Sequence, residues 1–137
     1  MQEFLLQNLW LVVLFVGSGA VLAWPEIQKL IGASNEIGTL EATRLLNQGT
    51  TLVLDVRDAS EYAAGHLPRA RHIPLKDLPT RLDEIGKYKE RTVLVTCRTG
   101  PRAGAAARVL KRAGFNAVYQ LKGGIAAWHQ ASLPVEK

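Results

Sequence analysis

The chain predicts an α/β domain with a central, mostly parallel sheet flanked by helices in three layers, preceded by one transmembrane helix. Three observations predict it. Short apolar runs rich in β-branched residues, 51–56 and 92–96, alternate with amphipathic or alanine-rich stretches of helical length. The single cysteine, Cys97, stands where one such run gives way to a helical one, in the order Cys97-Arg98-Thr99-Gly100-Pro101-Arg102. Residues 4–24 are predominantly apolar, and at about 1.5 Å per residue they match the thickness of a bilayer's hydrocarbon core.

The apolar run is interrupted by Gln7, Asn8 and Ser18 as polar side chains. Trp24 stands where an interfacial aromatic belongs, and Pro25 is expected to close the helix. Val21-Leu22-Ala23 imitates a signal-peptide cleavage site, but Met1-Gln2-Glu3 lacks the basic start such a peptide carries. Lys29 and Arg44 follow the run with no basic side chain before it, so the positive-inside rule places the N-terminus outside and the remainder in the cytoplasm, at the inner membrane in a bacterium. The expected organisation is a membrane helix over 1–25, a juxtamembrane linker over 26–35 and a globular domain over 36–137. Its partners would include the lipid bilayer and a possible membrane protein; Gln7 and Asn8 either hydrogen-bond across helices or lie in the interface near one end of the span.

Within the domain, Thr39 is a candidate N-cap for a helix over 40–47, with Leu40, Leu45 and Leu46 on its buried face and Gly49 as its stop. Residues 51–56 read as a central strand covered on both faces. Asp58 and Glu61 have the capping-box spacing, starting a short helix through Ala63. Gly65-His66-Leu67-Pro68 is a turn, 71–73 a brief strand, and Asp77 caps a helix through Ile85 that carries Pro79 in its first turn. After the strand at 92–96 comes the cysteine turn, then a helix over 101–113 ending at Gly114. A strand over 116–121, a turn at Gly123-Gly124 and a last helix over 125–130 complete the domain.

With 137 residues and 47% hydrophobic content, the chain holds one domain of ordinary size and an extension. The net charge is +5, and all 17 Lys and Arg follow position 25. They are scattered among acids without aromatic interleaving, which argues against nucleic acid and for small anions or anionic lipid head groups. One cysteine excludes an intramolecular disulfide and a dithiol redox cycle.

The strand-to-helix turn at Cys97 aims backbone N–H groups and the positive end of a helix dipole at one point, which suits an anion or a thiolate. Arg98 and Arg102 add fixed positive charge. Arg98 meets substrate or solvent; Asp55, Arg57 and Glu61 read as ion pairs holding loops, and His66 as a partner for backbone near the site. His72 and His129 have no companions at metal-ligand spacing, so no metal is expected, and the chemistry needs no cofactor. Arg108, Lys111 and Arg112 offset the dipole at the end of the following helix, and Trp128 belongs to the core or a pocket wall.

Four segments together resemble the rhodanese domain, the single-domain sulfurtransferase family, over 36–134. They are Val53-Leu54-Asp55-Val56-Arg57; Glu61-Tyr62 with Gly65-His66-Leu67-Pro68, Ala70 and Ile73-Pro74; Cys97-Arg98-Thr99-Gly100-Pro101-Arg102-Ala103; and Leu121-Lys122-Gly123-Gly124 with Trp128. The resemblance implies that Cys97 is a nucleophile that becomes a persulfide. It also implies that the loop of Arg98, Thr99, Gly100 and Pro101, with Arg102, binds the anion. The implied donor is a small sulfur-containing anion such as thiosulfate, or a persulfide, and the acceptor a thiol or a cyanide-like nucleophile. The loop is also similar to that of cysteine phosphatases, but those place five residues between Cys and Arg where this chain places four, and commonly a His where it has Thr96. The rival reading from another class is a membrane-tethered interaction or sulfur-sensing module of the same fold with little turnover.

Overall fold

The computed structural model describes residues 1–31 and 35–137, the side chains of 26–31 excepted. The chain forms two compact units, divided between Ala33 and Ser34.

In the first unit, helix α1 spans Gln2–Gln7 and helix α2 spans Leu9–Ile31. Asn8 breaks the two apart: its backbone leaves the helical region at φ −111°, ψ 21°, and its side-chain amide donates to the Phe4 carbonyl at 2.8 Å. The expectation of a membrane span over 1–25 is corrected here. Among the described residues no helix is long and apolar enough to cross a membrane. Because the break comes at Asn8, the apolar helical stretch begins only at Leu9, and it meets Pro25 and Glu26 before reaching the length of about 20 residues a span requires. Pro25 does not close the helix but lies inside it, so part of the expected linker is helical; Gly32, Ala33 and Ser34 lie outside the described residues. The outside-to-cytoplasm orientation and the bilayer as partner rested on that span and go with it.

The second unit is built on strands β1 (Glu36–Ile37), β2 (Leu52–Asp55), β3 (Arg71–His72), β4 (Thr92–Thr96) and β5 (Ala117–Leu121). Among the described residues these form one sheet in the order β1-β5-β4-β2-β3, every pairing parallel. Helices α3 (Thr39–Asn47), α4 (Ala59–Ala64) and α5 (Pro101–Arg112) connect strands, and α6 (Gly124–Gln130) follows β5. Alternate strand residues feed two cores. Leu52, Leu54, Val93, Val95 and Val118 pack with Ala103, Ala106 and Leu110 of α5, while Val53, Leu94 and Leu121 pack with Leu46 of α3 and with Ile125 and Trp128 of α6. Burial on both faces explains why β2 and β4 read as continuous apolar runs.

Three details differ from expectation. Gly38, not Thr39, precedes the first turn of α3, and Leu40 points outward while Ala42 and Leu46 are buried. The helix expected from Asp77 is two 3₁₀ segments, Leu78–Thr80 and Leu82–Tyr88, which bury Leu78 and Ile85. Strand β1 was not anticipated; it is two residues long and pairs Glu36 with Gln120.

Candidate active site

Residues 97–100 connect β4 to α5 at the carboxyl end of the sheet, where sites of parallel α/β domains lie. The Cys97 side chain is 1% exposed, and its Sγ accepts the Gly100 backbone N–H at 2.9 Å. Gly100 has φ 128°, a conformation that only glycine adopts without strain, and Pro101 then supplies the first residue of α5. The back of the loop is fixed by α6, whose Ile125 N–H donates to the Cys97 carbonyl at 2.8 Å and whose Ala126 N–H donates to that of Arg98 at 3.1 Å. This contact leaves no room at Gly124: a Cβ there would fall on the Cys97 carbonyl oxygen and 2.6 Å from that of Arg98. The thiol is thus gripped from both sides, by an amide on the sulfur and by α6 on the main chain.

Arg102, in the first turn of α5, points its guanidinium at Glu61 of α4, with Nη1 to Oε1 at 2.8 Å and Nη2 to Oε2 at 3.1 Å. Glu61 also accepts the Asp58 N–H at 3.2 Å, closing the capping box. The Arg102 hydrogen bonds lower the Glu61 pKa to about 2, and Glu61 in turn raises that of Arg102. Asp55 and Arg57 form a second, fully buried pair: Nη2 meets Oδ2 at 2.7 Å, and the same nitrogen donates to the Gly65 carbonyl at 2.7 Å. That pair ties the end of β2 to the turn after α4. His66 packs on the Tyr62 ring with centroids 3.8 Å apart, and its Nδ1–H donates to the Tyr62 carbonyl at 2.9 Å. Tyr62 is flanked on its other face by His72 at 4.7 Å, and burial raises its pKa above 10.0, with Asp55 and Glu136 contributing.

The structure therefore brings Cys97, Gly100, Arg102 and Glu61 to one end of the sheet, with Asp55 and Arg57 behind them. Arg98 and Thr99 are exposed on the loop and Pro101 is exposed at the start of α5, while His66 braces α4 rather than the loop. Beside the loop lies an open depression of about 360 Å³, bordered by Arg98, Glu61 and His129 and floored by Ile125 and Ala126. Two residues of the region, Gly124 behind the loop and His129 at the depression, carry little functional signal in the sequence. Gly123-Gly124 reads as a turn in the sequence, and only the structure shows that Gly124 also allows the close approach of α6 to the loop. His129 has no companion at metal-ligand spacing, and no periodicity in the sequence ties it to Arg98.

A parallel α/β domain with a single-cysteine loop between a central strand and its following helix is the class these features define. The chain belongs to the rhodanese-like domain family, whose model matches residues 39–131. It is 37% identical over 92 residues to a protein of Allochromatium vinosum named as a sulfurtransferase, covering 67% of this chain and 84% of the relative. The rhodanese-like domain of an Anabaena sp protein, solved by NMR, is 32% identical with a TM-score of 0.67, over 75% of this chain and 79% of that one. A rhodanese-related protein of Thermoplasma volcanium superposes with a TM-score of 0.67 at 26% identity, over 74% of this chain and 97% of that one.

Proposed function

We propose that this chain is a sulfurtransferase that carries sulfane sulfur as a persulfide on Cys97, from a small anionic donor such as thiosulfate to a thiophilic acceptor. The observation that carries this reading is the Cys97 sulfur held by the Gly100 amide at 2.9 Å at the start of α5. The Cys97 thiolate attacks the outer sulfur of the donor, the donor's S–S bond breaks, and sulfite leaves with the electron pair. An acceptor nucleophile then attacks the outer sulfur of the persulfide, and the electron pair returns to Cys97 Sγ. Negative charge develops at the loop in both steps. The amide of Gly100 and the dipole of α5 are fixed before reaction and stabilise it without reorganising. Arg102 stands at the same helix end, its guanidinium paired with Glu61 and oriented by it. Membership of the family and the resemblance to a named sulfurtransferase support the same reading.

The test is thiocyanate formation from thiosulfate and cyanide by the full chain and by Cys97→Ser. The wild type is expected to turn over and the variant to be inactive while folded. Undiminished activity in the variant would refute the assignment. A folded wild type without turnover would favour a sulfur-sensing or interaction module.

A further inference from the structure

Four charged or titratable groups border the depression beside the loop: Arg57, Glu61, Arg98 and His129. Two are already neutralised. Arg57 is spent on Asp55 and the Gly65 carbonyl, and both Glu61 oxygens are taken by Arg102. Arg98 and His129 are exposed, and among the described residues neither side chain has a hydrogen-bond or ion-pair partner. They border one cavity for a structural reason: the Arg98 carbonyl accepts the Ala126 N–H, and His129 follows Ala126 by one turn of α6. The depression therefore offers the unspent positive charge of Arg98 and the hydrogen-bonding ring of His129 over an apolar floor, and Arg98 adjoins Cys97 in the chain.

We propose that this depression is the acceptor subsite, and that Arg98 and His129 select thiols bearing a carboxylate over neutral thiols. The inference rests on the sulfur-transfer reading above and adds the acceptor's chemical class. At about 360 Å³ the space suits a small organic thiol and exceeds what cyanide needs. An acceptor thiolate attacks the outer persulfide sulfur, the S–S bond to Cys97 breaks, and a carboxylate two or three atoms from the thiol rests between the guanidinium and the imidazole. Charge-assisted hydrogen bonds of that kind are stronger than those a hydroxyl makes. Because the rim is exposed, the expected preference is modest, roughly three- to fivefold in kcat/KM.

The full chain is loaded with thiosulfate, its persulfide confirmed by intact mass, and its unloading followed with 3-mercaptopropionate and with 2-mercaptoethanol, compared as thiolate concentrations. The wild type is expected to prefer 3-mercaptopropionate through a lower KM. His129→Gln and Arg98→Gln are each expected to bring the ratio of the two acceptors toward one, His129→Lys to keep it, and His129→Glu to invert it. Equal use of both acceptors by the wild type, or an unchanged ratio in both Gln variants, would overturn the proposal. Failure of the wild type to load would instead overturn the sulfur-transfer reading, and the proposal with it.

Discussion

Glu61 and Arg102 show how a pair of side chains sets the electrostatics of the loop. Their bidentate contact is half-buried, so its contribution to stability is about 1 kcal/mol, while its effect on position is larger, because it fixes which way the guanidinium faces. Folding lowers the Glu61 pKa from 4.5 to about 2, so the stabilisation is complete above 4.5 and is lost as pH falls through about 2. Glu61→Gln should flatten the loss of thermal stability across that window, and at neutral pH it should raise KM for thiosulfate more than it lowers kcat. The buried pair behaves differently. Asp55→Ala leaves Arg57 without its carboxylate in a site where both side chains are almost wholly enclosed, so a loss of about 3–5 kcal/mol is expected in urea unfolding. The sequence marks Asp55, Arg57 and Glu61 as members of ion pairs, but Arg102 as an anion-binding residue rather than as the partner of Glu61. What one chain cannot reveal is the pairing itself: Glu61 and Arg102 are brought together by the packing of α4 beside the loop, not by spacing.

At the scale of elements, the loop is held by the contact between β4, α5 and α6. Gly124→Ala should disturb it from behind, since a methyl group would collide with two main-chain oxygens and the residue has φ 59°. The expected outcome is a loss of about 2–3 kcal/mol in chemical unfolding. Persulfide formation should slow with it, as the loop shifts off the start of α5. Strands β2 and β4 and helix α5 were legible because their patterns are strong: continuous β-branched runs, and an alanine-rich stretch between Pro101 and Gly114. The 3₁₀ segments over Leu78–Tyr88 were not, since Pro79 and Gly86 fit the ends of an α-helix equally well. Leu40 misleads for a different reason: it is apolar but does not share the buried face. At about 100° per residue Leu40 lies about 120° around the helix from the buried Leu46, whereas Ala42 lies within about 40° of it.

For the whole molecule, the cysteine loop and the alternating α/β order were readable because each rests on several residues in sequence. The N-terminal unit was misread because hydropathy averages over a run and does not register that Asn8 can divide it. The central claim is that Cys97 carries sulfur, and intact mass of the full chain, beside Cys97→Ser, tests it most directly. Thiosulfate should add about 32 Da to the wild type and nothing to the variant, and cyanide should remove it. A folded wild type that gains no mass, or a variant that gains the same mass, would contradict it.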